Sequence, residues 1–321
     1  MTPAAHADAA TSVQTPRAGP QTHGHLSAPP AERPEQGLFV LPGGYFDADG
    51  ALHTDVELSP LTGRDEEYLA SVRADASTAE VITGLLCRCV RRLGSVERID
   101  APLIRDLLVC DRDYLVIKAR EMTFGAKVDA VLACVNEQCA APLDVSFFLD
   151  ELHVERKPLE ARFFALPSAL HTSALEMRLP NGSDQEATAS LYRTDAERAL
   201  RLLLARCLRR TGDASHVEEE FIERLSRAAR EAIEAEMARR APQAVVELEG
   251  ECPECRAPFS TPLDFAAFFA AELRTGLAAL EREVHFLARH YHWSEQEILS
   301  LPRQKRRRYL ALIREELEGF D

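Results

Sequence analysis

Two stretches decide how this chain is read: ECPECRAPFSTPLDF at residues 251–265 and ACVNEQCAAPLDVSFF at residues 133–148. Cys252 and Cys255 form a CxxC pair between VVELEGE (245–251) and a segment broken by Pro258 and Pro262. The pair therefore belongs to a turn between extended pieces. That geometry holds two thiolates ~2.3 Å from one metal ion, with the amides of the turn aimed at the sulfurs. Cys134 and Cys139, in the wider spacing Cx4C, follow VDAVLA (128–133) in the same position of an earlier segment. Together the two pairs supply four thiolates, the number that closes a tetrahedral zinc site. The first expectation is one structural zinc ion bridging the segments through Cys134, Cys139, Cys252 and Cys255.

Two other readings of the cysteines stand beside it. Free cysteines behave as small hydrophobes, so the pairs could simply pack in a core. A redox pair of the thioredoxin kind opens a helix after a strand, which Pro258 and Pro262 oppose. The remaining Cys87, Cys89, Cys110 and Cys207 lie in apolar helical patterns and are expected in the core. His216-Val217-Glu218, taken with Cys252 and Cys255, mimics the H-x-E…P-C-x-x-C signature of zinc deaminases. The match breaks where Glu251 stands in place of proline and where prolines follow the pair instead of a helix. No phosphate-binding glycine loop, HExxH or GxSxG occurs, so no catalytic residue is expected. A zinc-ribbon binding or regulatory module is the alternative function class.

Working outward, the sequence repeats itself. LFVLPGG (38–44) answers FFALPSA (163–169), and LLCRCVRRLG (85–94) answers LLARCLRRTG (203–212). Cys89 then matches Cys207, Ile104 matches Ile222, Cys134 matches Cys252, and Pro142-Leu143-Asp144 matches Pro262-Leu263-Asp264. Each copy reads as a short hairpin, several helices, and a strand–knuckle–strand end. Ser183 with Glu186 suggests a capping box, Gly94 and Gly212 suggest helix C-caps, and a helix is expected from Asp111 to Phe124. The fold class expected is α+β, a tandem pseudo-twofold duplication whose copies end like zinc ribbons, followed by a C-terminal helical segment.

The boundaries that follow are a disordered arm over 1–36, a first repeat over 37–160, a second over 161–263 and a helical extension over 264–321. The arm is rich in Pro, Ala, Thr and Gln, and its His6, His23 and His25 are scattered. In the extension Asp264 caps a helix running to about Tyr291, with an apolar stripe at Phe269, Leu273, Leu277, Leu280, Val284, Leu287 and Tyr291. Ser294 with Glu297 forms a capping box, and Pro302 opens a last helix. His285, His290 and His292 do not share one helical face and are expected to pack or cap.

With 46% hydrophobic and 28% charged residues, 321 residues suffice for about two cores. No apolar run is long enough to span a membrane, and no secretory h-region opens the chain, so a cytoplasmic location with reduced thiols is expected. A net charge of −14 opposes broad nucleic-acid or anionic-membrane binding. Against that background RQKRRR (303–308) carries five cations in six positions. Arg303, Lys305, Arg306, Arg307 and Arg308 read either as a solvated helix face or as a docking surface for an acidic partner. No aromatic platform accompanies them for nucleic acid.

VHFLARHYHWSEQEILSLPRQKRRRYLALI (284–313) resembles a helical segment of baseplate proteins from contractile phage tails and related injection systems. The repeat unit resembles the T4-type baseplate hub assembly chaperone family. The shared features are LPTG-like turns at Leu61-Thr62-Gly63 and Leu179-Pro180-Asn181-Gly182, an acidic helix start, and a strand–CxxC–strand end with a PLDV-type sequel. The first copy departs by its Cx4C spacing. The resemblance implies a non-enzymatic protein of a bacterial cytoplasm that joins, or helps assemble, the hub of a phage-like particle. Its implied partners are other baseplate and hub proteins, with no small-molecule substrate.

Overall fold

The computed structural model describes residues 37–72, 75–167, 175–212 and 215–319. The N-terminal arm and the end of FFALPSA lie outside them. A hairpin of β1 (Gly37–Phe46) and β2 (Leu52–Leu58) is followed by α1 (Gly63–Ser71) and α2 (Thr78–Cys89). The chain then returns as β3 (Val90–Leu93) against β2, completing a three-stranded antiparallel sheet. Next come α3 (Ala101–Asp106), α4 (Val109–Phe124) and a second hairpin, β4 (Lys127–Ala133) with β5 (Pro142–Phe148). The strand β6 (Val154–Glu155) leads out of this half.

The same order of elements then runs again. β7 (Phe164–Ala165), β8 (Leu175–Met177) and β9 (Leu208–Arg210) form the second three-stranded sheet, with α5 (Gly182–Thr194) and α6 (Ala196–Cys207) between the last two strands. α7 (Glu219–Arg224) and α8 (Arg227–Arg240) precede β10 (Gln243–Ala244), which pairs with β6. The half ends in the hairpin β11 (Val246–Glu251) and β12 (Pro258–Leu263). Three helices follow: α9 (Phe265–Tyr291), α10 (Glu295–Leu299) and α11 (Arg303–Glu318). None is long and apolar enough to cross a membrane. The architecture is mixed α and β, as the patterning implied.

Local chemistry explains where the elements start and stop. Asp264 accepts from the Ala267 amide to open α9, and Ser294 with Glu297 forms the capping box of α10. The opening of α5 differs from expectation: the box is Asn181 with Asp184, two residues ahead of Ser183 and Glu186. Gly94 and Gly212 also differ. They sit at positive φ after β3 and β9, because pairing with β2 and β8 turns the helical run into strand at Val90 and Leu208.

The main core gathers Leu58, Leu85, Leu86, Ile104 and Leu115 from the first half with Phe265, Phe268, Phe269 and Leu273 of α9. The stripe of α9 is therefore spent on this chain's own body. A smaller core holds Met177, Leu204, Cys207, Ile222 and Ile233 of the second half. Leu287, Ile298, Leu310 and Ile313 form a third under Tyr291, Trp293 and Tyr309. Cys89 and Cys207 are fully buried in the first two cores, while Cys87 and Cys110 are half-buried against the first. Burial pushes the Cys89 and Cys207 thiols up to about 12.

Two helix-opening turns are each pinned by a distant helix–turn–helix. The Gly182 amide donates to the Leu107 carbonyl (3.1 Å), and the Val109 amide donates to Pro180 (3.1 Å). The Gly63 amide donates likewise to Leu301 (3.3 Å), and Thr62 bridges Pro302. Both glycines are required by close approach. A Cβ on Gly182 would lie 2.4 Å from the Arg112 guanidinium, and one on Gly63 would lie 2.9 Å from Leu299 and 3.1 Å from the Arg306 guanidinium.

The two arginines are themselves fully buried. Arg306 donates to Glu66 (2.6 Å), Glu283 (3.0 Å) and the Leu301 carbonyl (2.8 Å), and Arg303 donates to the other oxygen of Glu66 (2.9 Å). The expectation that RQKRRR forms one exposed docking face is thereby corrected for Arg303 and Arg306. They fall on the inward side with Leu310 and Ile313, where Glu66 compensates their charge. Lys305, Arg307 and Arg308 remain on the exposed side. Glu66→Ala strands two buried cations, so urea denaturation should show about 3–5 kcal/mol lost. Adding Arg306→Met should recover part of that loss.

Candidate metal centre

The two hairpins that end the halves place their cysteines in their turns, next to each other. The Sγ atoms of Cys134, Cys139, Cys252 and Cys255 all lie within 4.8 Å of one another. The closest pairs cross between hairpins: Cys134 to Cys255 at 3.7 Å and Cys139 to Cys252 at 3.9 Å. Four thiolates ~2.3 Å from a central ion sit ~3.8 Å apart at tetrahedral corners. The sulfur positions fit such an ion without rearrangement of either turn. Leu132, Leu143 and Phe259 pack around the cluster, and Cys134 and Cys252 are buried.

Each turn is built to point amides at sulfur. The Asn136 amide donates to Cys134 Sγ (3.4 Å), and the amides of Ala141 and Ala257 donate to Cys139 and Cys255. In all three cases the donor lies two residues after the cysteine. Ala140 (φ 46°) and Arg256 (φ 60°), each directly following the second cysteine of its pair, adopt the left-handed conformation that turns the next amide inward. The amides of Cys134 and Cys252 donate to Ala141 and Ala257 carbonyls at 2.9 Å each, closing both turns. The Cx4C and CxxC loops thus differ in length yet end in the same local geometry.

The crowding moves the Cys134 and Cys255 thiols in opposite directions. The Ala257 amide, with help from the neighbouring thiols, brings Cys255 down to about 7. At Cys134 the Asn136 amide acts in the same direction, but burial and the other three sulfurs overcome it and raise that thiol to about 12. Because all four donors are protein sulfurs, a tetrahedral ion held here has no open position for water or substrate.

The structure thus brings together the four cysteines singled out by spacing, and it leaves the other candidates elsewhere. His216 pairs with Arg209 beside β9 and is not among the converging residues. His290 Nδ1 donates to the Phe286 carbonyl (2.8 Å) and the imidazole packs on that ring, while His292 is the left-handed C-cap of α9. Arg112, which joins the first half to the second, carries no spacing signal as an isolated arginine in a helix, and the charge run around Arg306 masks its buried role in joining α11 to α1.

A family model described as T4 bacteriophage base plate protein matches residues 48–270. The chain belongs to that family. The matched span covers both halves, both cysteine turns and the start of α9, and it stops short of segment 284–313. No curated protein and no solved structure matches. As a baseplate protein the chain is of a structural kind, and the closed sulfur set is consistent with that.

The left-handed residues offer a direct check of the turn geometry. Arg256→Gly relieves the clash of Cβ with the following carbonyl and should raise stability by up to about 1 kcal/mol, whereas Arg256→Val should lower it by about 1–2 kcal/mol. Denaturant midpoints of the two variants decide this.

Proposed function

We propose that the chain is a non-enzymatic component or assembly chaperone of the baseplate hub in a contractile, phage-like tail. In this reading Cys134, Cys139, Cys252 and Cys255 hold one structural zinc ion that clamps two tandem-duplicated halves, 37–160 and 161–263. Residues 264–321 are the helical extension that returns to lock the first half. The observation that carries the proposal is the convergence of four thiols at tetrahedral spacing, from two hairpins in a chain of baseplate ancestry.

Zinc suits the donor set. It takes four sulfur ligands without preferring another geometry, and four thiolates fill its shell. Such an ion supplies folding free energy on the order of 10 kcal/mol and no catalytic water. The repeated order of elements and the matched cysteine positions support descent by duplication. A zinc-ribbon module unrelated to phage tails is disfavoured by the family match over both halves.

The partners of this reading are other baseplate and hub proteins, engaged by rigid surfaces of the clamped body. Lys305, Arg307 and Arg308 supply a basic strip on α11 for an acidic partner, in a chain otherwise rich in carboxylates. The setting is the cytoplasm of the cell that assembles the particle.

Elemental analysis of the purified chain should give one zinc per polypeptide. Cys252→Ala should lose the ion and lower the melting temperature by 10 °C or more. Acidification should release zinc as the thiolates take up protons. A fully folded, metal-free protein would refute the clamp. Separately, affinity capture from cells assembling the particle should co-purify other baseplate proteins. Presence in the finished particle then marks a component, absence marks a chaperone, and capture of no baseplate protein at either stage defeats the assembly role.

A further inference from the structure

The helix–turn–helix that pins a glycine turn occurs three times in the chain. IRDLLV (104–109), IERLSR (222–227) and ILSLPR (298–303) share isoleucine, two residues, leucine and then the residue capping a long helix. Those capping residues are Leu108, Ser226 and Pro302. In every copy the fourth residue after the cap is arginine: Arg112, Arg230 and Arg306.

Two of the three are filled from within the chain, and they are filled alike. A helix-opening Asn181-Gly182 or Thr62-Gly63 donates its glycine amide to the leucine carbonyl and lays the glycine over the guanidinium. The residue three beyond the glycine then accepts from the arginine: Gln185 at 3.1 Å from Arg112 Nε, and Glu66 at 2.6 Å from Arg306. An acid follows directly in both, Glu186 and Glu67. Glu186 is held by Thr83 (2.6 Å) and Arg105 (2.6 Å).

At the third copy, between α7 and α8, no glycine turn is paired among the described residues. Ser226 is exposed, and Leu225 is half-buried where Leu107 is fully buried. The Arg230 side chain is 24% exposed, and it pairs with Glu197 at 3.8 Å, itself 74% exposed. Arg201 on α6 occupies the position that Thr83 holds on α2, six residues after the helix cap. Its Nε is buried without a hydrogen bond, and its ion pairs are with Glu223 and Glu197, each 3.4 Å away and largely exposed. Two arginines held only by longer ion pairs to solvent-exposed glutamates thus stand where the filled copies receive a Glu or Gln followed by an acid.

We propose that the α7–α8 turn is a docking site for a helix-opening turn of a partner protein. The occupant has the pattern (Thr/Asn)-Gly-x-x-(Glu/Gln)-Glu, its glycine amide on the Leu225 carbonyl and its acids on Arg230 and Arg201. This rests on reading the three segments as one repeated device. The partner is a different polypeptide carrying the same unit, because both such turns in this chain are already engaged. The site gives the body a directional end: the C-terminal helices hold the first half, the first half holds the second, and the second presents an open copy.

A labelled peptide of residues 179–194 serves as the probe on the full-length, zinc-loaded chain, read by fluorescence anisotropy. Saturable binding is expected. Arg230→Gln should weaken it at least tenfold, and Gly182→Val in the peptide should abolish it, while exposed Arg274→Gln on α9 should change nothing. Binding indifferent to Arg230, or none up to ~1 mM peptide, overturns the proposal. Sedimentation equilibrium covers the remaining occupant: self-association removed by Arg230→Gln overturns the choice of a different polypeptide. Zinc content and melting temperature of each variant, measured in parallel, separate loss of this site from loss of the clamp or fold.

Discussion

Bringing two turns together across more than a hundred residues is the constraint on which this structure depends. Cys134 meets Cys255 over a separation of 121 residues, and Cys139 meets Cys252 over 113. Closing a covalent loop of that size removes roughly 4–5 kcal/mol of unfolded-state freedom. An ion that grips all four sulfurs exceeds that cost by a factor of two or more. The small hairpins could not achieve this alone. Each is two strands long, and two-stranded hairpins are marginal in water. Their apolar faces instead extend the main core through Val128, Ala130, Val246 and Leu248. The sulfur cluster is therefore the seal on a core already shared between the halves.

A second set of contacts acts at the helix-opening turns, and its physics differs. Arg112 and Arg306 are buried charges, which are expensive unless each proton finds an acceptor. Each takes one side-chain acceptor from the turn it pins, Gln185 or Glu66. The rest come from Ala79, Thr83 and Ile104 around Arg112 and from Glu283 and Leu301 around Arg306. A turn displaced by one residue would therefore remove an acceptor from a buried cation. Apolar packing alone tolerates such slippage. The glycines enforce the same register sterically, since Gly182 and Gly63 leave no room for a side chain. Here the hydrogen bonds of Arg112 and the buried ion pair of Arg306 specify which turn docks and in what register, more than they add to stability.

What could be read without coordinates follows from how local each signal is. The cysteine turns were legible because sulfur at fixed spacing between strands has few uses, and Asp264 and Ser294 were legible because caps act within three residues. The strand pairings of Val90 and Leu208 were not. Nothing in LLCRCVRRLG marks the switch from helix to strand, which comes from β2 and β8 arriving alongside. The cap of α5 was misplaced by two residues because Ser183 and Glu186 satisfy the pattern, while Asn181 and Asp184 satisfy the geometry. The basic run misled for a different reason. Arg303, Arg306, Leu310 and Ile313 lie three or four apart, so periodicity alone puts two arginines on the buried face. Charge was weighed ahead of spacing there.

The distribution of charge across the filled and open turns carries the assembly argument one step further. In a chain of net charge −14, arginines buried at Arg112 and Arg306 are matched within a few ångströms by groups from another part of the same chain. Arg230, at the corresponding position, and Arg201, where α2 carries Thr83, meet only the exposed Glu197 and Glu223 at 3.4–3.8 Å. Natural cores rarely leave such groups under-compensated without reason, because water can solvate an arginine that stays exposed but not one half-sunk in a helix pair. A surface whose polar groups are only partly satisfied in isolation is completed by a partner that brings the missing carboxylates. In the proposed reading, that is the condition of a subunit completed by its neighbours, with the sulfur cluster joining its halves and one turn left to dock.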